Sequence, residues 1–156
     1  MKTPILLITW RRPVLLHRLI NVLRPIAPRL IYVASDGPSP RDSSDKYNVA
    51  LCRALIEREI DWPCSIRRHF SDENLGCRDG PVAAINWFFE TVDSGIILED
   101  DCMPHPDFFG FCSALLEHYA NDPRVWCVSG NSHLCSDRHP FESAYFFSRY
   151  TMTWGW

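Results

Sequence analysis

Short apolar runs alternate along this chain with longer segments in which apolar residues recur at helical spacing. Residues 5–8 form a continuous apolar run that follows Pro4 and precedes a Trp-Arg-Arg-Pro segment, which is typical of a strand buried on both faces. After Pro13, leucine and isoleucine recur every three or four positions up to Leu23, and the pattern ends before Pro25. This spacing predicts a helix of about ten residues with proline at its first position.

The alternation of strands and helices continues along the chain. Further strands are predicted over residues 30–34, 65–70, 95–98 and 125–128. Further helices are predicted to begin near Ser44 or Asp45, at Pro81 and after Pro106. Helices between successive strands indicate βαβ units, so we expect an α/β protein with a mostly parallel sheet and helices on both of its faces.

The length of 156 residues fits one average domain. We expect residues 1–135 to form the α/β unit and residues 136–156 to be an irregular tail rich in aromatic residues, ending in Trp154, Gly155 and Trp156. Aromatic side chains at the end of a chain are unusual, because chain ends are mostly polar and loosely held. Either this tail packs back onto the core, or the chain is the front part of a longer protein.

Composition and charge exclude several classes of protein. Hydrophobic residues make up 46% of the chain and charged residues 22%, which excludes a disordered or fibrous protein. The formal net charge of −3 offers no basic surface for nucleic acid. No apolar run is long enough for a signal peptide or a membrane span, so we expect a cytoplasmic protein whose membrane association, if any, is peripheral. The 7 cysteines include no Cys-x-x-Cys pair, and we expect most of them to be reduced and buried.

Charged residues follow the predicted strands at the edge of the sheet where doubly wound proteins bind their ligands. These positions are the two arginines that follow Trp10 (residues 10–12), Asp36, Arg78 and residues 99–101. Arginine side chains bind phosphate groups, and carboxylates bind hard divalent cations. The sequence therefore predicts a site for a phosphorylated ligand together with a divalent cation.

The acidic run at residues 99–101, Glu-Asp-Asp, is the most informative of these positions. Three adjacent carboxylates repel one another and need separate partners, such as a metal ion, a sugar hydroxyl or an amide. A solvated acidic turn is the alternative, but the apolar residues 96–98 directly before the run favour a metal site. The arginines at residues 11–12 are equally compatible with a solvated surface, and Asp36 with an ordinary Asp-Gly-Pro turn.

Other candidate motifs carry less weight. His133, Cys135 and His139 could ligate zinc, but their spacing matches no common structural zinc site and favours a surface loop. The chain contains no Gly-x-Ser-x-Gly elbow, no Walker A loop and no Gly-x-Gly-x-x-Gly turn. Hydrolase, P-loop and Rossmann dehydrogenase functions therefore lose support.

Three segments resemble glycosyltransferases of the GT-A fold: Pro-Ile-Leu-Leu-Ile-Thr-Trp-Arg-Arg-Pro at residues 4–13, Ser-Asp-Gly-Pro at residues 35–38, and the acidic run with its flanks at residues 96–109. In the N-acetylglucosaminyltransferase I type, the Glu-Asp-Asp motif is followed by a similar Pro-Asp-Phe-Phe helix start. The resemblance implies a Rossmann-like GT-A fold, a UDP-sugar as donor, and Mn²⁺ or Mg²⁺ as cofactor. It favours inverting transfer and leaves the acceptor, a glycan or another hydroxyl compound, open.

The resemblance also implies roles for nucleotide-binding residues by their position in the motifs. The backbone near Ile8 and the side chain of Arg12 would contact the nucleotide and its phosphates. Asp36 would contact the base, and Arg78 falls where the family has another nucleotide-contacting side chain.

For the acidic run, the resemblance implies that Glu99 and Asp100 face the sugar and the ribose and that Asp101 binds the metal ion. The catalytic base of the family comes from the acceptor-binding part of the fold. In this chain Asp137 and Glu142 are available for that role, and nothing in the sequence marks either one. We therefore expect a metal-dependent glycosyltransferase, or its donor-binding part with an incomplete acceptor site.

Two other functions stay open at this point. A Mg²⁺-dependent phosphoryl transferase or hydrolase also places paired aspartates at strand ends. A nucleotide-sugar-binding module without catalysis would account for the unmarked base. Selective binding of uridine ligands would favour the glycosyltransferase over the phosphoryl-transfer enzyme.

Overall fold

Four strands and four helices alternate in the computed structural model of the chain, which describes residues 1–131 and 144–156. The strands are β1 (Ile5–Thr9), β2 (Leu30–Ser35), β3 (Ser65–Phe70) and β4 (Ile96–Glu99). The helices are α1 (Pro13–Leu23), α2 (Ser43–Glu59), α3 (Gly76–Phe89) and α4 (Asp107–His118).

The four strands form one parallel sheet in the order β3-β2-β1-β4. Ile5 of β1 pairs with Ile31 of β2 on one side and with Ile96 of β4 on the other. The chain therefore builds outward from β1 to β3 and then returns past β1 to add β4. In a doubly wound sheet the crevice opens where the strand order reverses, which here is the boundary between β1 and β4.

Helices cover both faces of the sheet, which confirms the α/β class and is consistent with a Rossmann-like fold. Side chains of α1, α2 and α4 pack on one face with alternate strand residues that include Ile5, Leu7, Ile31, Val33 and Leu98. On the other face, α3 places Ala84 and Phe88 against Leu6, Tyr32 and Ile97. The two-residue alternation of the strands thus divides the core between the two faces.

The predicted boundaries of β3 and α1 agree with the structure. In α1, the four apolar residues with helical spacing are all fully buried: Leu16, Leu19, Ile20 and Leu23. Pro13 occupies the first turn of the helix, where no amide hydrogen is needed. β3 is an edge strand of the sheet, and four of its six residues are exposed, in keeping with its weak apolar pattern.

The predicted N-cap of α2 and the predicted start of α3 are wrong. The N-cap of α2 is Asp42, whose carboxylate accepts a hydrogen bond from the Ser44 amide at 2.9 Å, whereas Asp45 is buried inside the first turn. α3 begins at Gly76, so Pro81 lies within the helix. The carboxylate of Asp36 accepts hydrogen bonds from the first amides of α3. Nothing near Gly76 in the sequence indicates this distant partner.

The strand predicted over residues 125–128 is also wrong, because this segment has no regular secondary structure. Trp126 is 92% exposed. The free edge of β4 is instead used by Trp156, whose amide and carbonyl both bond to the backbone of Ile97. An apolar run becomes a strand only where a sheet edge is available to it.

The end of the aromatic tail packs back onto the α/β unit. Trp156 contacts the apolar cluster beneath α3, and Gly155 is buried. Phe147 and Tyr150, by contrast, are 69% and 82% exposed. No helix within residues 1–131 or 144–156 is long and apolar enough to cross a membrane.

The six cysteines in the described residues are all free, and three of them are buried, which is fewer than the sequence predicted. Cys52, Cys102 and Cys112 are buried, and Cys77 is exposed in the first turn of α3. Burial raises the pKa of Cys52 to about 11 and that of Cys112 to about 12. The sequence expectation for Cys135 lies outside the described residues.

We predict that these buried thiols make the protein less stable at alkaline pH. Above pH 9 the thiols of the unfolded chain lose their protons while those of the folded chain keep them, so the free energy of unfolding falls as pH rises toward 11. Urea unfolding with reductant at pH 8 and pH 10 would measure this. Cys112→Ala should lower the free energy of unfolding at pH 8 but narrow the difference in that free energy between pH 8 and pH 10, and an unchanged difference would contradict the prediction.

In a Cys135→Ser background, a thiol reagent at pH 8 should react rapidly with Cys77 alone, and Cys77→Ser should remove that rapid phase.

Candidate functional site

A cleft of about 150 Å³ lies at the carboxyl edge of the sheet, across the boundary between β1 and β4. It is lined by five of the residues that the sequence singled out: Ile8, Arg12, Asp36, Glu99 and Asp100. β1 carries Ile8, β2 ends beside Asp36, and β4 ends in the acidic run. Parallel strands expose their carboxyl ends at one edge, which is why residues so far apart in sequence meet here.

Asp100 is the most buried carboxylate of the acidic run, with 1% of its surface exposed. The Thr9 hydroxyl and the Trp10 amide donate to its Oδ2 at 3.2 and 3.1 Å. Its Oδ1 is buried and accepts no hydrogen bond from the described residues. Arg12 Nη2 lies 2.7 Å from Oδ1, as an ion pair without hydrogen-bond geometry. Burial raises the pKa of Asp100, and the Trp10 amide and Arg12 partly oppose that rise.

Arg12 connects two members of the acidic run. It is the N-cap residue of α1, and its side chain is 43% exposed. Besides its ion pair with Asp100, its Nη1 donates a hydrogen bond to Asp101 Oδ2. One guanidinium therefore pairs with two of the three carboxylates in the run, which leaves the cluster two negative charges in excess when all three are ionised.

Glu99 adds to this concentration of negative charge. Burial raises its pKa, and Asp101 raises it further. Carboxylates held partly buried beside one another attract a cation, because the cation relieves both the desolvation and the mutual repulsion.

A second cavity of about 890 Å³ has Asp101 in its wall. Its wall comprises the start of α4, residues 127–131 and much of the aromatic tail. Aromatic side chains at this wall include Phe108, Tyr145, Tyr150 and Trp154. Glu99 and Asp100 thus face the cleft and Asp101 faces the second cavity, with Arg12 at the junction between them.

Asp36 is bound more tightly than an ordinary turn residue. Its Oδ1 accepts hydrogen bonds from the amides of Gly37 and Leu75 at 2.9 and 2.8 Å. Its Oδ2 accepts from the Gly76 amide at 2.9 Å and from the Asn74 side chain at 3.1 Å. Asp36 therefore supplies the acceptor that the N-terminus of α3 needs. Its predicted contact with a nucleotide base stays a prediction.

Arg11 and Arg78 lie away from the cleft. Arg11 stacks over the Trp10 ring at 4.1 Å and pairs with the buried Asp45 at 2.6 Å, so it holds the start of α2. Arg78 lies in the first turn of α3 with its side chain 92% exposed, and its ion-pair partner is Asp79 at 3.8 Å. The structure thus separates Arg78 from the other candidate residues, and its predicted role stays untested.

Sequence reasoning missed two residues, one in the wall of the cleft and one that supports it. Arg53 of α2 donates to the carbonyl oxygens of Ser35, Asp36 and Ser71, which joins the carboxyl ends of β2 and β3. His69 lines the cleft and stacks on Trp87, with ring centroids 5.2 Å apart. The two-residue alternation of β3 could have placed His69 on the α3 side of the sheet, but no sequence pattern marks Arg53.

The donor chemistry of the acidic run fits Mn²⁺ or Mg²⁺. No group of three metal-ligating side chains occurs within residues 1–131 and 144–156. Such cations nevertheless bind through one or two carboxylates when water and substrate phosphates supply the other oxygen atoms. Asp101, an oxygen donor 25% exposed at the cavity wall, meets that requirement.

Comparison with known proteins finds no match among protein-family models or among curated protein sequences.

Proposed function

We propose that this chain is the donor-binding part of a metal-dependent glycosyltransferase that takes its sugar from a UDP-sugar. The observation that carries the proposal is the meeting of Arg12 with the acidic run at the switch point of a parallel sheet, between two cavities. An arginine for a diphosphate and carboxylates for a cation are what such a donor requires. The resemblance of these segments to GT-A glycosyltransferases supports the same assignment.

The donor would extend through both cavities. The cleft of about 150 Å³ is smaller than the roughly 300–1,000 Å³ of most small-molecule sites, so it would hold only part of a nucleotide-sugar. The uridine would lie near Asp36 and His69, which line the cleft. The diphosphate would meet Arg12, and the sugar would reach Asp101 and the second cavity. The acceptor would approach through the second cavity, whose aromatic side chains suit the faces of sugar rings.

In the reaction, an acceptor hydroxyl oxygen forms a bond to the anomeric carbon as the bond from that carbon to the diphosphate oxygen breaks. Asp101 would hold the cation, which would supply stabilisation of the charge that develops on the departing diphosphate. Arg12 donates hydrogen bonds to the same group. The hydroxyl proton passes to a base that is not yet assigned, because the two sequence candidates, Asp137 and Glu142, lie outside the described residues.

Calorimetric titration with UDP, UDP-GlcNAc, GDP and ATP, each with and without Mn²⁺, tests the proposal. We expect binding of uridine ligands alone, dependent on Mn²⁺ and weakened by about tenfold or more in Asp101→Asn, because one charged ligand to the cation is lost. Asp61→Asn is the matched control, since it removes the same charge from a different place. Asp61 lies just after the end of α2, and its ion-pair partner among the described residues is Arg24.

Other outcomes have distinct meanings. Binding without uridine preference, together with turnover of simple phosphate esters, would favour Mg²⁺-dependent phosphoryl transfer. Uridine-selective binding without hydrolysis or transfer to any hydroxyl compound would favour a nucleotide-sugar-binding module.

A further inference from the structure

Arg12 is hydrogen-bonded to Asp101, the carboxylate that would hold the cation in the proposed function. Its Nη1 donates a hydrogen bond to Asp101 Oδ2, while its Nη2 remains in an ion pair with Asp100 at 2.7 Å. The protein therefore places a positive charge of its own at the acidic run. A divalent cation on Asp101 would have to share that carboxylate with a guanidinium in direct contact with it.

Asp100 gives independent evidence that this charge balance is adapted to a ligand. Asp100 lines the cleft, and its Oδ1 is buried and accepts no hydrogen bond within the described residues. Arg12 is its only ion-pair partner in that part of the chain. A buried carboxylate oxygen without a hydrogen bond is costly, so a further donor or cation at this position would be favourable.

Arg12 is able to leave Asp101. Its side chain is 43% exposed, and it makes no side-chain capping bond to α1. When Arg12 moves, Asp100 keeps its two hydrogen bonds from Thr9 and Trp10. The acidic run would then be free to take another cation without losing its fixed geometry.

We propose that Arg12 competes with the divalent cation for Asp101, so that the cation binds tightly only together with an anionic nucleotide that draws Arg12 away. The inference rests on the proposed function and adds to it that binding of the cation depends on binding of the nucleotide. Two positive charges at one carboxylate repel each other, whereas a diphosphate offers Arg12 a second anion and relieves the competition. The coupling is reciprocal: the nucleotide strengthens cation binding by the same factor as the cation strengthens nucleotide binding.

The competition predicts opposite effects of one substitution on the two ligands. Arg12→Ala should bind Mn²⁺ alone about tenfold more tightly than the wild type, because a neighbouring positive charge is removed. The same variant should bind UDP in the presence of Mn²⁺ at least about tenfold more weakly, because the diphosphate loses a charged donor. If Arg12 had only a structural role, its replacement would weaken the binding of both Mn²⁺ and UDP.

The measurement is a titration of Mn²⁺ without nucleotide, followed by the electron paramagnetic resonance signal of free Mn²⁺, and then a titration of UDP at saturating Mn²⁺. Arg12→Gln, which keeps the length of the side chain without its charge, serves as a second variant. Arg18→Ala is the matched control, since it removes the same charge from an exposed position on α1. Circular dichroism melting verifies that each variant is folded.

Tighter Mn²⁺ binding in Arg12→Ala and Arg12→Gln, with Arg18→Ala equal to the wild type, would support the competition. Mn²⁺ affinity that is unchanged or lower in both Arg12 variants, including undetectable binding throughout, would overturn it. The failure of the proposed function gives a different result, namely no uridine-selective binding by the wild type at any Mn²⁺ concentration.

Discussion

Replacing Gly37 with alanine is expected to lower the free energy of unfolding by about 3 kcal/mol, because the added carbon collides with backbone atoms. An alanine Cβ at this position would lie 2.5 Å from the Glu73 carbonyl carbon and 2.6 Å from its oxygen. Backbone atoms cannot rotate away as a flexible side chain can. The turn before α3 would therefore have to move, breaking the Gly37–Glu73 backbone hydrogen bond at 3.2 Å.

Thermal or urea unfolding measures this loss, which corresponds to a fall in melting temperature of about 6–12 °C for a domain of this size. Gly110→Ala is a control for which the expected change in stability has the opposite sign. No atom lies within 4 Å of its added Cβ, and the position is inside α4, so alanine should raise the stability by up to about 1 kcal/mol. Equal melting temperatures for Gly37→Ala and the wild type would show that the turn moves at no cost.

Replacing Arg53 with methionine is expected to lower the free energy of unfolding by about 2–3 kcal/mol, because three backbone carbonyls lose a charged donor. The guanidinium reaches the carbonyls of Ser35, Asp36 and Ser71 at 3.3, 3.4 and 2.6 Å. These carbonyls lie at the carboxyl ends of β2 and β3. Burial lowers the pKa of Arg53, which reflects the partly dry position from which it donates.

Urea unfolding tests this prediction against Arg58→Met, which removes the same charge from the same helix. The Arg58 side chain is 68% exposed and pairs only with Glu59 among the described residues, so its loss should change the stability by less than about 0.5 kcal/mol. Similar losses in the two variants would mean that Arg53 acts only through helix propensity and general charge. Because Arg53 also bonds the Asp36 carbonyl, we expect its replacement to weaken ligand binding in the cleft.

The sequence was sufficient to identify elements whose signals are local. The helical spacing in α1 and the apolar runs of β1, β2 and β4 predicted these elements closely, because burial on a defined face determines which positions are apolar. The start of α3 was not predictable in this way. Its first amides bond to Asp36, which is 39 and 40 residues earlier in the chain.

The candidate site was predicted in part for a related reason. The rule that ligands bind beyond the carboxyl ends of parallel strands placed Arg12, Asp36, Glu99 and Asp100 at one edge, and the structure brings them to one cleft. The same rule included Arg78, which the structure turns toward solvent on the first turn of α3. The helix start decides the direction of that side chain, and the helix start depends on a tertiary contact.

The sequence by itself determined the strand and helix alternation, the parallel sheet with two covered faces, and the concentration of charge at one edge of the sheet. Only the tertiary structure decided how those charges are shared: Arg12 bridges Asp100 and Asp101, Arg11 turns to the buried Asp45, and Asp36 caps α3. The physical reason is the range of the interactions. Apolar periodicity reflects burial of each residue on its own element, whereas the partner of a charge is set by distances between elements that sequence spacing does not contain.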